Sequence, residues 1–343
     1  MTQKMQLNVG LDTHKKFIVG CIKDDIGNII FEKKFKNDPH EIDIFFVNVP
    51  KDSKVALESS SCWQSVFDYL VDKGYEVKLS NPIKTRLIGE SKKKTDWEDA
   101  RKLADLIRMN MLPLSYAAPH YIRVQRQITR HRLSLTLMKT RIKNKIHAII
   151  RRHGYQFEID DLFTQKGLQV LASTDLPMCD RFELDQYIDL VRHYDHSIAQ
   201  TQDRIEEMSR DDPYARIIIT HIGISYYSSL MITGEIGDIR RFKKAKYLIS
   251  YAGLSPSVSQ SGEKCYLGPI SKQGSKNLRW ILIQCANAAI KRDKRLKSFY
   301  LKKKLGKGHN KAIVAVARKI LTNLYVMMTY NITYQNLRVN KAM

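Results

Sequence analysis

Apolar and polar positions along the first hundred residues alternate in short blocks. Met5–Leu11 is an apolar, β-branched run ending on Asp12, and a second apolar run follows over Phe17–Ile22. The cluster Asp24-Asp25-Ile26-Gly27-Asn28 has turn chemistry and precedes a third extended run, Ile29–Phe35, which predicts an antiparallel meander. A helix is expected over 39–48. Val55–Leu57 then reads as a short strand ending on Glu58, Trp63–Lys73 as a helix, Glu76–Leu79 as a strand, and Asn81-Pro82 as the start of another helix. The order βββαβαβα implies a mixed sheet with an antiparallel start and helices on its faces.

Beyond Asp96 the period becomes helical and remains so. One helix is expected over 96–110 and a long one over 119–153, where Leu133, Leu137, Ile142 and Ile146 recur near helical spacing and Gly154 provides the stop. The stretch 155–181 reads as irregular, and 182–210 as a second long helix. Such a pair predicts an antiparallel hairpin or coiled coil and a natural oligomer contact. From about 213 the pattern is mostly helical, with a Gly-rich irregular insert expected over 253–274. The fold class expected is therefore α/β plus α in three parts: an α/β domain over 1–115, a helical connector over 116–212 and a mostly helical domain over 213–343.

Composition narrows the function. A chain of 343 residues that is 43% hydrophobic can bury a full core. No run reaches the 18 or so consecutive apolar residues of a membrane span, and the start MTQKMQLNVG lacks signal-peptide character, so the expected address is the cytoplasm with no membrane partner. Five cysteines without a C-x-x-C pair suggest neither a disulfide framework nor a zinc site and read as buried thiols. The net charge of +23 is zoned. Residues 239–343 hold 23 Lys or Arg against Glu263 and Asp293, a net of +21, and 106–157 hold 11 basic residues and no acid. Residues 158–238 reverse the balance, with 16 acids and 6 bases. A basic stretch of that length suits a polyanion, because each phosphate neutralised releases condensed counterions; the competing reading is a solvated basic surface.

Four acids stand where chemistry can use them. Asp12 and Glu58 end strands, and Asp96 and Asp99 begin a helix, three apart and so on one face. Ionised carboxylates are oxygen ligands suited to Mg²⁺ or Mn²⁺, and acids at strand ends converge on one edge of a sheet, where two ions can clamp a scissile phosphate. Singly, each has a plainer reading: Asp12 as a turn residue, Glu58 as a solvated strand end, Asp96 as a helix N-cap and Asp99 as a partner of the helix dipole. Glu98 points to a different helix face and is left out.

The local contexts Leu-Asn-Val-Gly-Leu-Asp12-Thr-His-Lys, Val-Ala-Leu-Glu58-Ser-Ser and Lys94-Thr95-Asp96-Trp-Glu-Asp99-Ala-Arg-Lys-Leu-Ala resemble the DEDD transposases: Piv-type DNA invertases and related insertion-element, RNA-guided recombinases. The resemblance implies a RuvC-like branch of the ribonuclease H fold for the N-terminal domain. It also implies Mg²⁺ or Mn²⁺ held by Asp12, Glu58, Asp96 and Asp99 as catalytic metal ligands.

A second resemblance lies in Tyr251-Ala-Gly-Leu-Ser-Pro256, then Ser261-Gly262, then Gly268-Pro-Ile-Ser271-Lys272-Gln-Gly274-Ser-Lys276-Asn-Leu-Arg279, an order like that of the family's C-terminal transposase region. It implies Ser261 as a nucleophile that takes a phosphoryl group. From the residues alone Ser261 reads as an ordinary turn serine, with Ser255, Ser257, Ser259 and Ser271 as rivals. Lys264, Lys272, Lys276 and Arg279 are candidates to stabilise phosphorane charge. The segment from Ile222-Gly223-Ile224 to Gly234-Glu-Ile-Gly237, with Arg240 and Arg241 after it, resembles the family's backbone-binding helix-hairpin-helix, although His221 and Ser225 stand where the family commonly has proline and glycine. Arg141 and Lys145 on the basic helix are candidate nucleic-acid contacts, or part of a solvated face.

The function that the resemblance implies is metal-dependent DNA strand cleavage and exchange through a phosphoserine, with DNA and a structured noncoding guide RNA as partners; a homo-oligomer (dimer or tetramer) is also expected. The alternatives are a RuvC-like hydrolytic junction nuclease and a catalytically decayed nucleic-acid-binding protein.

Overall fold

A computed structural model describes residues 6–88, 95–261 and 264–340; side chains are not described at 258–265, 267 and 340. The chain divides into two compact units, Met1–Ala117 and Ala118–Met343.

The first unit is a five-stranded mixed sheet. Strands β1 (Asn8–Thr13), β2 (Phe17–Lys23) and β3 (Ile29–Lys36) form the meander, and β4 (Lys54–Glu58) and β5 (Glu76–Ser80) add in parallel, giving the order β3-β2-β1-β4-β5. The β2–β3 turn is fixed by Asp24, whose Oδ1 accepts the amides of Ile26, Gly27 and Asn28, with Gly27 at φ 102°. Helices α1 (Pro39–Phe46) and α2 (Trp63–Asp72) cover one face, where Val9, Leu11, Val55 and Leu57 pack on Ile42, Phe45, Val66 and Leu70. A short α3 (Pro82–Ile88) follows β5, and α4 (Asp96–Arg108) covers the opposite face, burying Ala100, Leu103, Ala104 and Ile107 against Val19, Cys21 and Ala56. Alternation along each strand, period two, sends odd and even positions of β1 to the two helical layers.

The second unit starts with α5 (His120–Arg152) and α7 (Met178–Asp211). They run antiparallel: Gln125 bonds Asp212, Lys139 pairs with Asp195, and Arg152 pairs with Asp180. The expected irregular segment 155–181 contains a further helix, α6 (Gln165–Ala172), which puts Leu168 and Leu171 among Ile146, Ile149, Leu184 and Ile188. At eight residues it is too short to establish a helical period.

Helices α8 (Pro213–Ile218), α9 (Tyr226–Ile236), α10 (Ala245–Tyr251), α11 (Lys276–Arg292), α12 (Lys294–Tyr330) and α13 (Tyr334–Asn340) build the larger core. The insert expected to be irregular over 253–274 is instead mainly a hairpin of β6 (Pro256–Ser261) and β7 (Lys264–Ile270), paired from Pro256↔Ile270 to Ser261↔Lys264. Its Gly, Pro and Ser content reads as loop, whereas cross-strand pairing, invisible to local propensity, makes it a ribbon. Helix α12 kinks at Gly308, φ 75°. Among the described residues it is the helix long and apolar enough by composition to cross a membrane, yet 56% of that window is buried inside the protein. Cys21 and Cys285 are buried free thiols as expected, whereas Cys179 is exposed and Cys62 only half-buried.

Candidate metal centre and basic region

The centre forms where β1 and β4 end together. Leu11 pairs with Leu57, so Asp12 and Glu58 are the next residues on adjacent parallel strands, and Thr13 Oγ1 lies 3.1 Å from Ser60 Oγ just beyond. Asp12 falls on the α4 face. Helix α4 can lie close there because residue 10 is glycine: a Cβ on Gly10 would stand 2.1 Å from the Ala100 carbonyl oxygen and 2.5 Å from the Ala104 amide. Two ion pairs set the helix across the meander. Arg101 is bidentate to Glu32 of β3, at 2.6 and 2.8 Å, and Lys23 of β2 meets Asp105 at 2.6 Å.

Thr95 is the N-cap of α4, its hydroxyl accepting the Glu98 amide at 3.2 Å. Capping therefore falls to Thr95, and Asp96 is the first helical residue. The carboxylate of Asp96 turns to the strand end, where Asp12, Asp96 and His14 offer ligand atoms all within 4.8 Å of one another. His14 Nε2 lies 3.0 Å from Asp12 Oδ2 and 3.5 Å from Asp96 Oδ1. Glu58 and Asp99 are not members of that tight set. Asp99 is near enough that its charge acts on Asp12.

Burial pushes the Asp12 carboxyl above its ordinary pKa; His14 opposes the shift, while Asp99 and Asp96 add to it. A carboxylate desolvated and crowded by like charge is one that a cation relieves. Two carboxylate oxygens and an imidazole nitrogen are a donor set that fits a divalent ion such as Mg²⁺ or Mn²⁺. Sequence reading missed His14. The signal was available: it stands two residues after Asp12, and positions i and i+2 of an extended chain share a face.

The second unit supplies a separate basic region. The side chains of Ser261 and Lys264 lie outside the described residues, as do those of Ser259 and its neighbours. Lys272, at φ 55°, and Lys276 are exposed. Arg279 is half-buried and donates from Nη1 to the carbonyls of Ala252 and Lys272, both at 3.2 Å, so it braces the loop before α11. Arg241 is likewise engaged, donating to the Ile236 carbonyl at 3.0 Å and stacking on Phe242 and Tyr251. Arg240 is exposed and pairs with Asp238, and Arg141 and Lys145 are exposed on α5. His221 is buried, with Nδ1 2.9 Å from the Ile222 carbonyl and its ring against Tyr334, while Ser225 caps α9.

Glu235, at the end of α9 and 2% exposed, is the anchor that sequence reading passed over. Its carboxylate accepts from Arg130 of α5 at 2.7 Å, Ser275 at 2.8 Å and Asn277 at 3.3 Å, so one buried charge ties the start of α11 to α5 and α9.

Residues 9–154 match the sequence model of the IS110-type DEDD transposase, and residues 215–301 match that described as Transposase IS116/IS110/IS902 family. The chain belongs to the DEDD transposase family. Similar transposases include that of insertion sequence element IS1328 from Yersinia enterocolitica, 25% identical over 83% of this chain and 84% of its own. The transposase of IS1111A from Coxiella burnetii is 24% identical over 95% of this chain and 91% of its own. The family also reaches the pilin gene-inverting protein of Moraxella bovis, 25% identical over 78% of this chain and 77% of its own. Membership makes this DEDD transposase a protein of DNA transposition and recombination, and the first matched segment contains the whole carboxylate centre.

Proposed function

We propose that the first unit is a RuvC-like domain of the ribonuclease H type whose carboxylates Asp12, Glu58, Asp96 and Asp99 serve metal-dependent DNA strand cleavage and exchange. The observation that carries this reading is the convergence of Asp12, Asp96 and His14 at the end of β1 beneath the start of α4. Divalent metal bound there would supply charge to polarise a scissile phosphate and stabilise its transition state. The carboxylates hold the site at the edge of a rigid sheet, with Gly10 and the Arg101–Glu32 pair fixing the helix that carries two of them.

Ser261 is the nucleophile in this reading. Its Oγ forms a bond to phosphorus as the bond to one bridging deoxyribose oxygen breaks; the serine proton passes to that oxygen, leaving a free hydroxyl and a phosphoserine linkage. Reversal with a different strand's hydroxyl regenerates the serine and completes exchange without loss of phosphodiester energy. Lys264, Lys272 and Lys276 supply positive charge along the same segment. The basic surfaces of α5, with Arg141 and Lys145, and of the region after Arg240 serve DNA and a structured noncoding guide RNA, in a homo-oligomer.

The test of the metal-bearing acids is cleavage of DNA carrying the element's own ends, with its flanking noncoding transcript present, in Mg²⁺ or in chelator. Asp12→Ala and Asp99→Ala should each reduce cleavage by about a hundredfold or more while the fold is retained. Mg²⁺-dependent cleavage retained in both variants removes these acids from the reaction.

A further inference from the structure

Asp12 and Asp96 come from different elements, a strand end and a helix start, and the imidazole of His14 stands between them. A single Nε2–H makes one strong hydrogen bond, which the 3.0 Å approach to Asp12 would satisfy; it does not call for a second carboxylate at 3.5 Å. Neighbouring donors on an octahedral ion with bonds of about 2.1 Å stand roughly 3.0 Å apart, close to these separations. The ring is seated in advance. His14 donates its amide to the Phe17 carbonyl at 2.9 Å, its carbonyl accepts from Asn37 Nδ2 at 2.8 Å, and its ring packs on Phe17 with centroids 4.5 Å apart. It remains 41% exposed, open to solvent and to an incoming ion.

We infer that His14 is a metal ligand of this centre, its Nε2 completing with Asp12 and Asp96 a three-donor set that shifts the site's preference from Mg²⁺ toward Mn²⁺. Imidazole nitrogen is a better partner for a transition ion than for Mg²⁺, which binds oxygen almost exclusively and dehydrates reluctantly. The inference rests on the divalent-metal reading of the carboxylates given above.

Pulsed electron paramagnetic resonance of Mn²⁺ bound to the full, tag-free chain reads the ligand directly. The wild type should show hyperfine coupling to one imidazole nitrogen, and His14→Ala should lose it. His14→Gln keeps a hydrogen-bond donor for Asp12 but has no imidazole, so it separates coordination from hydrogen bonding. In both variants Mn²⁺ affinity should fall by about tenfold or more, with Mg²⁺ affinity changed much less. Mn²⁺ retained by the wild type without nitrogen coupling, coupling that persists in His14→Ala, or unchanged Mn²⁺ affinity in His14→Gln overturns the assignment and leaves the carboxylate site standing. A wild type that retains no Mn²⁺ overturns both.

Discussion

Asp12 is the residue on which the centre turns, because it is the most enclosed of the acids that converge there, with 14% of its side chain exposed against 43% for Asp96. Its folded pKa lies above its unfolded one, chiefly through burial, so the folded chain holds that proton more tightly than the unfolded chain does. The resulting stabilisation is fully present below the unfolded pKa and is lost as pH rises through the folded pKa. Asp12→Asn, which removes the charge, should therefore leave metal-free thermal stability at neutral pH unchanged or slightly raised. Added Mn²⁺ should raise the melting temperature of the wild type and not that of the variant, since an ion that binds only the folded state stabilises it by mass action. A variant that melts several degrees lower without metal contradicts this account of Asp12. The Asp12 and Asp96 contexts were legible in sequence because acids follow or begin strongly patterned elements. His14 left only the weak signal of its two-residue spacing from Asp12, because it lies just past the strand end and is placed by the β1–β2 turn.

At the scale of elements, α4 is the device that brings carboxylates from distant parts of the sequence together, and its seat is a missing side chain. Gly10→Ala drives a methyl into the α4 backbone and should cost about 1–3 kcal/mol in urea denaturation, the usual range for overpacking. Gly306→Ala meets nothing within 4 Å and should leave stability nearly unchanged. Equal effects in the two variants argue against close packing at Gly10. The element order of the first unit was readable because strand and helix periods alternate cleanly there. The β6–β7 ribbon and α6 were not, since one depends on cross-strand pairing and the other on burial between two long helices, and neither leaves a local period. Glu235 was hidden for the same reason: its partners Arg130, Ser275 and Asn277 are remote in sequence.

At the scale of the whole molecule the zoned charge acquires a structural setting. The acidic stretch 158–238 includes all of α7, which pairs with the basic α5, so part of the basic charge there is matched internally by Asp180 and Asp195 of α7 and by Glu235 of α9. The basic segment after 239 also supplies much of the second unit's core, through α11 and α12. Truncation there would unfold that unit, so binding is better tested by neutralising exposed charge. Replacing Lys302, Lys303, Lys304 and Lys307 together by Gln should flatten the dependence of log affinity on log salt by about 0.9 for each B-DNA phosphate that is no longer neutralised. A slope unchanged in that variant moves the nucleic-acid surface elsewhere, with α5 the next place to examine. The central claim, that a carboxylate-held metal and Ser261 carry out strand exchange, meets its most direct test in the covalent protein–DNA adduct formed on DNA bearing the element's ends with its flanking transcript. The account predicts an adduct in the wild type with Mg²⁺ or Mn²⁺, mapped by mass spectrometry to Ser261 and abolished by chelator, by Asp99→Ala and by Ser261→Ala; an adduct that persists in Ser261→Ala, or forms equally without metal, contradicts it.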